Sequence, residues 1–515
     1  MRTIIALFIL SLFAVSCGED FLQRTNPNAL SNESFWSSEK DAQMAIRGCY
    51  DALQSGNYYD SGPWSFGIFR TDFMSDNGYC VWGSWMPGGS TARGKISPSN
   101  TWSALMFWDA SYTMIGRTNR VIKFVPEMAE KGILEQDVAN KIVAEAKFLR
   151  AMTYNLLTMT FVDVPLVKEP LSLEEAEVGK TPKSEIVSFI TEDLESAYQD
   201  LPEAGSTEFG RATKGAALAL LARIYLYHGQ YENAAQRAQD VIDLQNYSLF
   251  SDYHELFSPD NETCNEVIFS VRYERGLGGN EGANFPGYWG NATVVHQAPL
   301  ANLAESFYCT DGLPIDQSSL YNSDLPDEDR DPRFNATIVA KGSTWKGDSL
   351  ETAPSTPTDY AMRKYTEEDN DLNQFDSPQD FYVFRYAHVL LIRAEALVQS
   401  GNYNESEVLG LINQVRDRVG MPHVQDVEGT GFSQQELLDV VKHERRVETA
   451  LEGLRYFDLK RWGELKERAF DFYMQNEASQ YGLAERVWSD KMMKWPIPQP
   501  EIDVNENLQQ HPEWQ

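Results

Sequence analysis

The sequence predicts an all-α protein in which helical hairpins stack into an α-superhelical scaffold, with long loop-rich insertions and minor β-structure. Three observations predict it. Residues 211–244 place Leu218, Leu221, Ala222 and Tyr225 at helical spacing, then Tyr231, Ala234, Ala235, Ala238, Val241 and Ile242 after a His228-Gly229-Gln230 turn. A related stretch begins at Phe384, where Gly401-Asn402-Tyr403 echoes Gly229-Gln230-Tyr231 between two apolar-periodic segments. Two regions, about 57–100 and 248–380, replace helical periodicity with Gly, Pro and aromatic residues. The first hairpin's order, L-x2-L-A-x2-Y and then A-x3-A, is close to the tetratricopeptide pattern, with Ala222 at the small position. Such a hairpin cannot bury its apolar faces alone and needs neighbouring helices.

Taken in order, the chain opens with Arg2, an apolar run from Ile4 to Val15, and Ala14-Val15-Ser16-Cys17. Residues 1–16 read as a lipoprotein signal peptide, with Cys17 expected as the acylated mature N-terminus. Two or more acyl chains hold stably where one is marginal. No later run is apolar and long enough to cross a membrane, so an anchored, non-spanning protein is expected. Residues 17–515 are expected to form one domain. Its helical N-terminal part covers about 17–247 with an insertion at 57–100; a loop-rich part follows at about 248–380, and a C-terminal helical part at about 381–515.

Within that frame, Ala42, Ala45, Ile46, Cys49 and Tyr50 share one face of a first helix. Helical patterning resumes over about 101–125 and again through Ile142, Ala146, Leu149, Leu156 and Leu157. Thr181-Pro182 opens a helix with Ile186, Ile190, Leu194 and Ala197 on one side. EVIFSVRY, within the second insertion, reads as a strand. SQQELLDVVKHERRVETALEGL is a last long helix leading into RYFDLKRWGELK.

The 515 residues are 42% hydrophobic and 12% aromatic, an ordinary globular composition. A formal charge of −32 argues against nucleic acid or anionic lipid heads as partners. Cys49, Cys80, Cys264 and Cys309 fit no zinc spacing; one or two disulfides and buried free thiols remain equal alternatives.

The chemical constellations favour bland readings. His443-Glu444 begins an H-E-x-x-H motif, but Val447 stands where the second ligand belongs. Glu444, Arg445, Arg446, Glu448, Glu452, Arg455 and Asp458 place opposite charges three and four apart, as in an ion-paired helix. Asp324, Asp327, Glu328, Asp329 and Asp331 lack the ordered calcium-loop pattern and are broken by Pro326 and Pro332, so a solvated acidic turn is expected. Gly276-Leu277-Gly278-Gly279 has no phosphate-loop lysine. No G-x-S-x-G occurs and the seven histidines are scattered, so no enzyme, metal or cofactor is called for. A surface glycoside hydrolase is the enzymatic alternative, since carboxylate pairs are plentiful.

The aromatic loops are the better lead. Trp64, Tyr79, Trp82 and Trp85 lie in the first insertion, and Tyr288, Trp289 and Trp345 in the second. Such rings can stack on sugars. Burying ~60 Å² of sugar surface yields about 1.5 kcal/mol, so an arc of several rings is needed. About half of these rings are expected to anchor loops rather than touch ligand.

The segments FLQRTNPNALSNESFWSSEKDAQMAIRGCYDAL, AEAKFLRAMTYNLLTMTFVDVPLV, TPKSEIVSFITEDLESA, ESFYCTDGLPI, DRDPRF, FRYAHVLLIRAEAL and, most specifically, ERRVETALEGLRYFDLKRW together resemble the SusD/RagB family of nutrient-uptake outer-membrane lipoproteins. In the second, Phe161-Val162 stands where an aromatic-Gly pair is common in the family. The resemblance covers essentially the whole mature chain. It implies a non-catalytic, surface-exposed glycan-binding protein that lids a SusC-like TonB-dependent transporter, with the helical hairpins facing that partner. RagB-type relatives imply peptide capture as the alternative. Gly18-Glu19-Asp20 after Cys17 is similar to a surface-export tag. The family's ligand contacts lie in variable loops, so the seven rings rest on the loop argument alone.

Overall fold

The computed structural model describes residues 35–60, 65–81, 83, 88–99, 102–277, 281–286, 297–345, 348–349, 356–367 and 375–515. Among them are ten α-helices of eight residues or more: α1 Glu39–Asp51, α2 Trp102–Glu130, α3 Gln136–Thr160, α4 Lys183–Asp200, α5 Lys214–Tyr227, α6 Tyr231–Asp243, α7 Tyr386–Ser400, α8 Glu405–Val419, α9 Gln434–Glu448 and α10 Arg455–Trp462. Each packs on the next from α1 to α8, and α9 packs on α7. α6 meets α7 directly, although the second insertion separates them in sequence. Arg393 of α7 fixes that junction by donating to the Ala235 carbonyl at 2.9 Å. The array is the helical superhelix expected from the hairpins.

Local chemistry sets the helix ends. Thr213 accepts the Ala216 amide at 3.2 Å at the start of α5, and Ser433 and Glu436 form a reciprocal capping box on α9. Gly401 and Gly420 end α7 and α8 at φ of 73° and 72°, a backbone that glycine adopts without cost. α5 differs from its amphipathic reading. Every residue from Gly215 to Tyr227 is buried, because α4, α6, α7 and the strands of the second insertion surround it. α6 is the amphipathic member, burying Ala234, Ala235, Ala238 and Val241.

The strands are short, as expected of minor β. They are β1 Gly78–Cys80, β2 Val164–Pro165, β3 Lys180–Thr181, β4 Val267–Val271, β5 Gln297–Pro299, β6 Ile338–Ala340, β7 Thr344–Trp345, β8 Asp348–Ser349, β9 Tyr360–Met362 and β10 Phe381–Arg385. They pair antiparallel as β1–β5, β2–β3, β4–β10, β6–β9 and β7–β8. β4–β10 closes the neck of the second insertion, so the excursion leaves and re-enters the array at one place. The main core runs from Ala42 to Trp514, and a second packs α7, α8 and α9 together. The four cysteines described are free, three of them buried.

The charges of α9 and its following turn are structural, but they pair across the fold rather than along one helix. Glu444, Glu448 and Glu452 are spaced by four and buried. Glu444 meets Arg333 at 2.6 Å and Arg416 at 2.8 Å. Glu448 takes Arg385, Arg418 and Arg333, and Glu452 takes Lys364 at 2.9 Å, Arg385 at 2.7 Å and His388 at 2.7 Å. Asp331, from the expected acidic turn, is also buried and pairs with Arg333 at 2.7 Å. Four sequence-distant segments are thereby tied together. Removing one member of such a buried pair costs about 3–5 kcal/mol, because its partner is left unpaired.

His388 gives the cluster a pH signature. Its Nε2 lies 2.7 Å from Glu452 and its Nδ1 3.3 Å from Arg223, an arrangement that suits the neutral ring. Burial pushes its pKa down to about 3, outweighing the pull of Glu452. The unfolded ring binds a proton that the folded ring refuses, so its contribution to stability is lost as pH falls from about 6.5 toward that value, at about 1.4 kcal/mol per pH unit. Urea unfolding at about pH 7, 6 and 5 should therefore show a shallower acid slope for His388→Gln than for the parent; equal slopes would contradict the assignment.

Candidate functional site

The two aromatic insertions are joined where short strands within them pair. Gly78 lies opposite Pro299, Tyr79 opposite Ala298 and Cys80 opposite Gln297. Trp82 and Trp85 follow β1 in the chain, and Tyr288-Trp289 precede β5, so the two loops are joined at their bases. β5 packs on β9, which pairs with β6, Ile338 opposite Met362. The β7–β8 hairpin follows β6 and sets Trp345 opposite Asp348 in backbone register. One set of short strands therefore roots all three aromatic segments.

A small core lies beneath this root, made of Tyr79, Leu300, Tyr473 and Ala478. Tyr79 is only 7% exposed. Its ring lies parallel to Tyr473 at 6.4 Å, and its hydroxyl accepts from the Ala484 amide and from Arg93 Nη2, each at 3.2 Å. Tyr79, expected among the glycan-contacting rings, is placed as a packing ring. Trp64, Trp82, Trp85, Tyr288 and Trp289 lie outside the described residues, as do Cys17 and the side chain of Trp345. Gly83, at φ +61°, makes room for Arg93: a Cβ there would sit 2.4 Å from Nη1.

Charged side chains bolt the first insertion to the C-terminal part of the chain. Arg486 donates to the carbonyls of Ser75 at 2.8 Å, Ala469 at 2.9 Å and Gly78 at 2.7 Å, and its guanidinium lies 4.1 Å from the centre of the Tyr473 ring. Asp76 accepts both arms of Arg455 at 2.8 Å and lies 3.2 Å from Arg446. Burial opposes its ionisation, but the Arg446 and Arg455 charges prevail and hold its pKa below the usual carboxylate range. Asp72 accepts the Gly453 amide at 2.6 Å, and Thr71 donates to the Gly453 carbonyl at 2.9 Å. Burial pushes the Asp72 pKa up to about 7 against those bonds.

The E-G-L-R of the C-terminal motif thus has a residue-by-residue reading. Glu452 enters the buried charge cluster, Gly453 meets Asp72, Leu454 packs, and Arg455 grips Asp76. Asp72, Asp76 and Arg486 were invisible as a group in sequence; two aspartates four apart in an otherwise aromatic, Gly-rich segment were the available signal. Among the described residues, no group of three or more His, Cys, Asp or Glu could hold a metal ion.

Gly453 is the joint most open to test. It has φ +76°, and a Cβ would lie 3.1 Å from the Phe69 Cα. Gly453→Ala should cost about 1–3 kcal/mol in denaturant unfolding, and a loss below about 0.5 kcal/mol would contradict the joint.

Comparison with known proteins accords with this architecture. A model of the SusD family matches residues 265–514, and a second, described as starch-binding associating with outer membrane, matches residues 20–226. A SusD-like protein of Formosa agariphila is 28% identical over 98% of each chain. The starch-binding protein SusD of Bacteroides thetaiotaomicron is 27% identical over 72% of each chain. The crystal structure of a SusD-like carbohydrate binding protein from Bacteroides fragilis superposes with a TM-score of 0.81 at 30% identity, covering 92% of this chain and 100% of that one. With the helical array, the paired insertions and the C-terminal motif in place, the chain belongs to the SusD family, whose members associate with the outer membrane.

Proposed function

We propose that this protein is a cell-surface lipoprotein that captures an oligo- or polysaccharide on its paired loops and delivers it, uncleaved, to a SusC-like TonB-dependent barrel. The observation that carries the reading is the β1–β5 pairing, which brings the Trp82/Trp85 loop and the Tyr288/Trp289 loop to one root. One stacked ring is worth about 1.5 kcal/mol, so recognition needs several rings presented together. Trp64, Trp82, Trp85, Tyr288, Trp289 and Trp345 are the candidate rings; Tyr79 supports them from below. The B. fragilis relative described as carbohydrate binding and the starch-binding B. thetaiotaomicron relative favour a glycan over a peptide.

The carboxylates of the C-terminal motif and of the segment it grips do not form a hydrolytic pair. Glycoside hydrolysis needs one carboxyl that keeps a proton beside one that does not. Glu444, Glu448, Glu452 and Asp76 are all held ionised by fixed cations. Asp72, whose pKa of about 7 would suit a general acid, is buried with its oxygens bonded to Gly453 and Asn77. The anchor is Cys17, acylated after removal of residues 1–16.

Affinity electrophoresis through a panel of neutral and charged polysaccharides tests the binding claim. At least one glycan should retard the protein, and Trp82→Ala with Trp85→Ala should abolish that retardation while leaving thermal unfolding unchanged. No retardation by any glycan, or calorimetric binding to oligopeptides alone, would overturn it. In the native host, Cys17→Ala should move the protein from the membrane fraction to the soluble one; unchanged fractionation would remove the lipid anchor from the account.

A further inference from the structure

A second cleft, away from the aromatic loops, lies where α2 meets the C-terminal segment. Its volume is about 460 Å³, and its walls include Trp108, Tyr112, Pro165, Val167, Val178 and Leu508. Two carboxylates stand on its rim, Asp109 from α2 and Glu501 from the helix Gln499–Val504. Glu501 accepts a hydrogen bond from Trp108. Burial holds both carboxyls above their ordinary range, and the Asp109 charge pushes Glu501 further the same way. Among the described residues, no lysine or arginine lines the cleft. It is an acidic, apolar pocket whose described walls carry no cation.

The surface beside it is unusual in the same sense. The connection from α3 to α4 carries Leu173 at 95% exposure and Leu171 at 38%, and the C-terminal segment carries Val504 at 75%. Glu174, Glu175 and Glu177 follow directly after those leucines. This surface is pinned: Asn505 Nδ2 donates to the Val178 carbonyl at 3.0 Å and Asn507 Nδ2 to the Glu177 carbonyl at 2.8 Å. Aliphatic side chains held in water on a fixed surface, next to carboxylates, mark a protein-docking face.

We propose that this face receives a segment of the partner barrel that presents a lysine or arginine flanked by aliphatic residues. The cation sits between Asp109 and Glu501, and the aliphatic neighbours cover Leu173 and Val504. The inference rests on the barrel-partner reading above and adds to it the docking face and the chemistry of what docks. Charge complementarity chooses the occupant. The carboxylates repel anionic lipid heads, and Trp108, only 3% exposed, offers no open ring face to a sugar.

The test is co-purification of the full-length, lipidated protein with tagged SusC-like TonB-dependent barrels of its host, at low and high salt. Glu501→Lys and, separately, Leu173→Asp should each lower recovery about tenfold, and recovery of the parent should fall as salt rises. Leu173→Asp keeps the test valid if Glu501→Lys disturbs Trp108, because Leu173 supports nothing in the fold. Retardation by the glycan should be unchanged in both variants. Parent-like recovery of both variants overturns the docking face and leaves the barrel reading standing. Failure of the parent to co-purify overturns the two together.

Discussion

Everything in this molecule depends on three glutamates spaced by four along one helix and its exit turn. Glu444, Glu448 and Glu452 lie in the interior, where an isolated carboxylate would cost far more than folding could supply. They are tolerable because six arginine, lysine and histidine side chains from four parts of the chain converge on them. Arg333 and Lys364 come from the second insertion, Arg385 and His388 from the start of α7, and Arg416 and Arg418 from α8, with Arg385 and Arg333 each shared between two of the glutamates. Hydrophobic packing alone would bring helices together without choosing their register. Buried charges with fixed partners allow few alternatives.

The same stretch of chain reaches the first aromatic insertion. One residue after Glu452, Gly453 donates to Asp72, and two further on Arg455 grips Asp76. Arg486 then holds the backbone of residues 75–78 against the Tyr473 layer. The first insertion is therefore an extension of the C-terminal helices in mechanical terms, although it lies near the other end of the sequence. This division lets loop tips vary in sequence while the β1–β5 root keeps its geometry. The helical hairpins supply the rigid body and take no part in the candidate sugar site.

The helical body was legible because it is periodic. α3, α4, α6 and α7 follow apolar spacing that a single sequence displays, and Gly229 and Gly401 punctuate it. α5 was legible as a helix but not as a central one, since a helix apolar on all sides looks amphipathic when only its strongest face is counted. The charges of α9 were recognised as structural, yet their partners were not. Arg333 and Arg385 lie 111 and 63 residues from the glutamates they meet, and no local pattern encodes such a pairing. The site suffered the same limit. Rings in two insertions can be named from sequence, but the strands Gly78–Cys80 and Gln297–Pro299 that unite them are three residues each and carry no periodic signal. Tyr79 shows the cost of naming rings alone, because its neighbours make it a packing residue.

The central claim is that the paired loops, and not the helical hairpins, meet the glycan. Hydrogen–deuterium exchange of the protein with and without a polysaccharide that retards it addresses this most directly. The account predicts ligand-dependent protection concentrated in residues 79–93 and 286–300, with the hairpins 214–243 and 386–419 unchanged. Protection confined to those hairpins, with the two loops unaffected, would contradict it.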